Sequence, residues 1–213
     1  MNKINRRIFL KTFSSALSAV AIQPTQAVAV NKNLYLNQAL GVAISKPSSW
    51  SFINLRNFDE MKNSQILSDL IDPALENEIR NQTDPVVVFG VNIDEDKGFS
   101  PSAAFYAEHI ELSNSESIDD VIGAEENLYS GVLPNYKLKK AMRNISINKF
   151  ETVKLDSEFT FEAEGISPIL IRNISVITRR HPFVYTLRAF DSPWNSIDAE
   201  REITQIIDSL YYS

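Results

Sequence analysis

The 213-residue chain contains no cysteine, and that absence removes thiol nucleophiles, cysteine-based zinc sites, iron–sulfur clusters and disulfides together. It also removes the cysteine on which an exported lipoprotein is anchored, so no lipid anchor is expected. Histidine is nearly as scarce: His109 and His181 are the only imidazoles, which leaves almost no scope for a multi-histidine metal site. Only 6 glycines are present, and the sequence holds neither a glycine-rich phosphate loop nor a G-x-S-x-G nucleophile elbow. What is present is ordinary: 44% hydrophobic and 23% charged residues, enough for one domain with a sizeable core. Collagen-like and wholly disordered classes are excluded on that composition.

The first thirty residues have a different character. Lys3, Arg6 and Arg7 precede an apolar stretch from Ile8, interrupted by Lys11 and then mild and Ser/Ala-rich to Ile22. Ala27-Val28-Ala29 supplies a small-x-small cleavage signal. The apolar part falls short of the ~20 residues a spanning helix needs. Residues 1–29 are therefore read as an export signal cleaved after Ala29, and residues 30–213 as a single domain. Arg6, Arg7, Phe9, Leu10 and Lys11 resemble the twin-arginine export motif, R-R-x-F-L-K, at every specified position. That resemblance implies export of an already folded protein, to a periplasm or a thylakoid lumen. Removing the four basic residues of the signal leaves 17 basic against 27 acidic residues, a formal charge of −10. Such a surface repels phosphate backbones, so no nucleic-acid partner is expected.

In the remaining chain, 33–36 and 41–46 read as a hairpin and 50–53 as a further strand. Residues 59–80 have helical spacing, broken at Pro73. The stretch 85–93 is apolar at nearly every position, as in a strand covered on both faces. Ser100-Pro101 looks like an N-cap and first helical residue, which predicts a helix carrying Ala104, Phe105, Ala107 and Leu112. A second short helix is expected over 118–122. From Thr152 to Glu164 apolar and polar residues alternate, the period of an antiparallel strand with one wet face. Returns over 169–178 and 183–190 would complete a three-stranded meander, with a turn at 179–182. Ala199, Ile203, Ile206, Ile207 and Leu210 form one stripe on a closing helix. The expected fold class is α+β, a central antiparallel sheet flanked by helices.

Gly41-Val42-Ala43-Ile44-Ser45-Lys46-Pro47-Ser48-Ser49-Trp50 resembles the opening signature of PsbP-like proteins, a short apolar strand followed by Pro-x-x-Trp. The meander ending in 183–190 and the helix carrying Ile206-Ile207-Asp208-Ser209-Leu210 are similar too. The resemblance implies an α/β/α sandwich, shared with a Ran-GTPase-binding factor and with exported bacterial proteins. PsbP is an extrinsic lumenal subunit of photosystem II, and members of the family are mostly non-enzymatic accessory, assembly or binding proteins.

Several residues invite chemistry, and each has a plainer alternative. An EF-hand loop begun at Asp94 would need its bidentate Glu at 105, where Phe105 stands, so Asp94-Glu95-Asp96 reads as a solvated loop. His109, beside Glu108 and near Glu111, has no second histidine at i+4 and reads as a helix-surface residue. Lys137, Lys139, Lys140 and Arg143 fit a strand edge protected by lysines. Trp50 reads as core, and Trp194 as a cover for the sheet end. Arg179, Arg180 and His181 place up to three positive charges at a hairpin tip of an acidic protein. They form either a solvated turn or a docking point for an acidic partner.

The resulting expectation is an exported, non-enzymatic, monomeric PsbP-like accessory or assembly protein. It would bind another protein, with a membrane complex and photosystem II among the candidates, and needs no cofactor. One alternative is a small-molecule or metal-ion carrier using a sheet-end cleft. Another is a hydrolase of unrecognised type, since carboxylate pairs are plentiful but their spacing in the fold is not written in the sequence.

Overall fold

Alternating side chains dominate the second half of the chain, and there the backbone is extended. The computed structural model describes residues 32–53, 55, 84–91, 99–109, 117–163, 166–193 and 197–213. The export signal expected over 1–29, the helix expected over 59–80, the solvated loop expected at Asp94-Glu95-Asp96 and Trp194 lie outside the described residues. Among those described, the strands are β1 (Leu34–Asn37), β2 (Val42–Ser45), β3 (Ser51–Ile53), β4 (Val87–Gly90) and β5 (Ser102–His109). Helix α1 (Ile118–Val132) follows, then β6 (Lys137–Ile147), β7 (Phe150–Ala163), β8 (Ile166–Arg180) and β9 (Phe183–Asp191). Helix α2 (Ile197–Asp208) and β10 (Tyr211–Tyr212) close the chain.

Seven strands form one antiparallel sheet in the order β3-β4-β5-β9-β8-β7-β6, and β1-β2-β10 form a second, smaller sheet. Cross-strand register sorts the side chains. On the inner face, Ala103 lies opposite Ala189 and Phe105 opposite Leu187. Val176 and Tyr185 share that face and pack with Val42, Ile44, Trp50, Ile203, Ile206 and Tyr212, so α2 and the small sheet cover it together. On the outer face, Val153, Leu155, Ile177 and Val184 meet Ile118 and Ile122 of α1. Each fully buried Ile or Leu contributes ~1.5–3 kcal/mol, so both faces are held mainly by apolar burial. The architecture is α+β, an antiparallel sheet between helical layers, as the sequence pattern predicts.

Three expectations are corrected. Residues 102–109 are not a helix but the interior strand β5, with Ser102, Ala103, Ala104 and Phe105 all buried. Covered on both faces, this strand lacks the polar alternation that marks a half-wet one, and its alanines mimic helix propensity. His109 therefore ends a strand. The short helix expected over 118–122 runs instead to Val132, opened by a capping box in which Ser117 and Asp120 bond reciprocally. It stops at Leu133, whose N–H donates to the Tyr129 carbonyl at 2.8 Å, with Pro134 next. The meander has four strands rather than three, because the lysine-rich stretch 137–147 is itself the edge strand β6.

Candidate functional site

Five separate pieces of chain meet at one end of the large sheet: the β8–β9 turn, the β6–β7 turn, the last residue of β5, the β1–β2 turn and β10. Pairing fixes this. Arg180 lies opposite Phe183, His109 opposite Phe183 from the other side, and Ile147 opposite Phe150. Side chains and termini stitch the pieces together. The Tyr212 N–H donates to Asn148 Oδ1 at 3.0 Å, and the Ser213 N–H donates to the Gly41 carbonyl at 2.9 Å.

The three residues picked out in the sequence do not act as one knob. Arg180 points to the inner face, where its Nη1 donates to the Leu40 carbonyl at 2.7 Å and its guanidinium lies 5.4 Å from the Phe150 ring centre. The Tyr185 hydroxyl donates to the same carbonyl at 2.8 Å. Gly41 makes this possible: its φ is +61°, and an added Cβ would stand 2.7 Å from Arg180 Nη1 and from Ser213 Oγ. Arg180 is thus a latch between the two sheets. Arg179, one residue earlier, faces outward opposite Val184, and His181 is exposed in the turn.

Two further groups join them that sequence reading did not single out there. Lys149 is exposed in the β6–β7 turn, and Asn148 and Lys149 both have left-handed backbone, φ 50° and 73°. A two-residue hairpin of this handedness matches strand twist, but its second position suits glycine. His109 is exposed with its ring edge-on to Phe183 at 5.5 Å. Tyr211 adds an aromatic side chain that is 52% exposed. Below this surface Tyr212, Tyr185 and Phe183 stack at 5.2 and 5.9 Å. Burial pushes the Tyr212 hydroxyl up to about 12, with Thr178 partly offsetting it. Glu108 and Glu151 are the exposed carboxylates flanking the same end. Among the described residues, none of Arg179, His181 and Lys149 enters an ion pair.

A second polar cluster lies under α1 on the outer face. Arg188 sits between the rings of Tyr106 and Tyr129, 5.2 and 5.3 Å from their centres. Its Nη2 reaches Glu125 Oε1 at 2.5 Å and its Nε the same oxygen at 3.2 Å. Burial opposes the charge on Arg188, yet the neighbouring Tyr129 and Glu125 outweigh it and raise the pKa above the ordinary arginine value. Burial likewise raises the hydroxyls of Tyr106 and Tyr129, with Arg188 opposing. Nearby, the Asn173 amide donates to Ser157 Oγ at 3.1 Å and Ser175 Oγ at 3.3 Å, while its buried Oδ1 has no partner among the described residues. Nothing in the sequence marked this cluster, because its members come from β5, α1, β7, β8 and β9.

The remaining candidates are structural. Trp50 is buried, its indole N–H donating to Glu202 Oε2 at 2.9 Å. Lys46, whose pKa burial lowers, spends its ammonium on the Trp50 carbonyl and on Asn33 Oδ1 at 3.3 Å. Lys139 bonds Glu158 at 2.8 Å and Arg143 bonds Asp119 at 2.8 Å along the β6 edge. No group of three or more His, Asp or Glu side chains converges among the described residues.

No protein-family model matches the chain, and no curated protein matches it. Solved structures do. The cyanobacterial PsbP of Synechocystis sp. PCC 6803 superposes with a TM-score of 0.54 at 11% identity, covering 92% of this chain and 98% of that one. The Pseudomonas aeruginosa protein PA94, of unknown function, gives 0.50 at 17% identity, covering 62% of this chain and 87% of its own. At such identities the likeness is one of fold, and the fold is PsbP-like.

Proposed function

We propose that the chain is an exported, non-enzymatic accessory or assembly protein that works by binding another protein. A membrane complex, photosystem II among them, is the kind of partner that its PsbP-like fold suggests. The observation carrying this reading is the gathering of Lys149, Arg179, His181 and Tyr211 at one sheet end of an acidic protein. Lys149 and Arg179 bring two exposed-side cations from distant parts of an acidic chain, 27 acidic against 21 basic residues, to one end beside Glu108 and Glu151, a place where a partner's charges could be met in register. The test is mild cross-linking of the tagged protein in its native cells, followed by identification of what co-purifies. One complex should be enriched over a Lys149→Glu/Arg179→Glu control. Equal recovery with the charge-reversed protein overturns the assignment of the surface, and no enriched protein at all overturns the binding role.

Export belongs to the same proposal. Arg6→Lys/Arg7→Lys should hold the protein in the cytoplasm, as fractionation would reveal, and normal export of that variant would remove the twin-arginine reading.

A second reading, a small polar ligand held beneath α1, is favoured by the partnerless Asn173 Oδ1 beside Ser157 and Ser175. Native mass spectrometry of the purified protein would then show a mass excess that Asn173→Leu abolishes.

A further inference from the structure

The outer face of the large sheet changes character along β7 and β8. Ser157 lies opposite Asn173, Phe159 opposite Ile171 and Phe161 opposite Ile169, all on the face that carries Leu155 and Ile177 under α1. The row through Asn173 runs Leu138, Ser157, Asn173, Phe190 and Ser102, from β6 across to β5, and holds no charged side chain. We propose that this face binds a neutral single-chain amphiphile, its hydrogen-bonding head at Asn173 and its hydrocarbon chain along Phe159, Ile169 and Phe190. The proposal rests on the second reading above, a small ligand beneath α1, and names the chemistry of that ligand.

The head is defined by one open atom. Asn173 is only 5% exposed, and its amide donates to the buried hydroxyls of Ser157 and Ser175, while Oδ1 has no partner. Turning the amide over would exchange the open atom without closing it. A buried polar atom left without a partner is costly, and a ligand that brings one removes the cost. A primary amide or an alcohol carries both a donor and an acceptor, so it serves either orientation. The head is neutral because nothing described beside it would balance a charge. Arg188, in the next row opposite Ser175, is already paired with Glu125.

The chain is placed by burial. Phe99 and Ile171 are buried in this patch, whereas Phe159, Phe161, Ile169 and Phe190 around them are only half-buried. From the Asn173 row to the Phe161–Ile169 row is four residues, roughly 13 Å of strand. A polar end and an apolar run meeting on one face match a molecule divided in the same way. A wholly polar ligand would leave the apolar run wet.

Isothermal titration calorimetry of the full chain with primary amides, from acetamide through butanamide to octanamide, tests the proposal. Each added methylene should tighten binding about three- to fourfold. Octanoate, with the same chain and a charged head, should bind about tenfold more weakly than octanamide, or worse. Asn173→Leu should weaken every amide about two- to tenfold and keep the dependence on chain length. Phe159→Ala/Ile169→Ala should flatten that dependence and leave acetamide unchanged, a split that general loosening of the fold would not give. Acetamide bound as tightly as octanamide overturns the amphiphile and leaves the small polar ligand. Octanoate bound as tightly as octanamide, or a chain-length dependence untouched by the Phe159/Ile169 variant, overturns the proposed site. If no amide binds, the amphiphile falls, and the native mass spectrum decides the parent reading separately: a mass excess keeps it and none removes it.

Discussion

Breaking the Glu125–Arg188 pair should be among the most damaging single changes available to this protein. The two side chains are only 11% and 14% exposed, and their shortest contact is 2.5 Å. Glu125→Leu leaves a guanidinium buried between Tyr106 and Tyr129 with no carboxylate to balance it. Removing one partner of a buried pair typically costs ~3–5 kcal/mol, most of it the desolvation of the charge left behind. In a chain of this size, ~1 kcal/mol moves Tm by about 2–4 °C, so the variant should melt roughly 6–20 °C lower. The double variant Glu125→Leu/Arg188→Met exchanges both charges for apolar groups of similar length. It should recover most of the loss, since buried ion pairs often do no better than well-packed hydrophobic replacements. Urea unfolding followed by far-UV circular dichroism measures all four corners of the cycle. A single-variant cost below about 1 kcal/mol would mean that water reaches Arg188 and that the pair is a surface feature. A double variant as unstable as the single would refute the account in another way, by showing that shape rather than charge holds α1 to the sheet.

The Tyr212 hydroxyl, raised by burial from 10.0 to about 12, is neutral in the fold at a pH where an unfolded tyrosine ionises. Its contribution of ~2–3 kcal/mol is whole below pH 10 and is lost as pH rises through 12. Tyr212→Phe should therefore flatten the alkaline fall in stability, measured as urea midpoint against pH, though the buried Tyr106 and Tyr129 push the same way and will leave a remainder. Gly41→Ala should lower stability by ~1–3 kcal/mol, because the position has a left-handed φ of +61° and the new Cβ collides with the Arg180 latch. Gly123→Ala should do the opposite, gaining ~0.5–1 kcal/mol, since it lies in α1 with nothing within 4 Å of the added methyl. Thermal melts of the two variants give the comparison directly.

Elements with one wet face were the ones readable from sequence. Val153, Leu155, Phe159 and Phe161 alternate with charged residues along β7, and Ala199, Ile203 and Ile206 line one side of α2, because water on the far side imposes the pattern. Where both faces are covered the pattern vanishes. Ala103 and Phe105 meet the inner core while Ala104 packs outward, so β5 carries no alternation to read. Its Ser100-Pro101 opening and three alanines then favour the wrong element. Strand β6 was legible by its lysines rather than by alternation: Lys137, Lys139 and Lys140 fit a protected strand edge, and β6 is the edge strand, though burial there imposes too little pattern to have joined it to the meander. The Arg188 cluster was illegible because its charge balance depends on Glu125, which no sequence spacing ties to residue 188.

The basic end was half legible, and its other half shows what strand geometry does to adjacent charges. Arg179 and Arg180 look like a single basic patch only while both are placed in the turn. Once β8 runs through Arg180, period two sends them to opposite faces. Arg180 then becomes a fold element, bonded to the Leu40 carbonyl and stacked on Phe150, while Arg179 stays at the surface. The distinction decides how the proposed docking surface must be tested. Reversing Arg180 would free the β1–β2 turn, strand the Leu40 carbonyl on one donor and place a carboxylate against an aromatic ring. Binding lost in that variant would report an altered surface, not a missing charge. Arg179 and Lys149 have no such internal duty among the described residues, so reversing them alters the field and leaves the latch in place. A comparison of Arg179→Glu with Arg180→Glu should therefore separate cleanly. The first should keep its Tm and lose partner binding, whereas the second should lose both, and equal Tm values would show that Arg180 is as free as its neighbour.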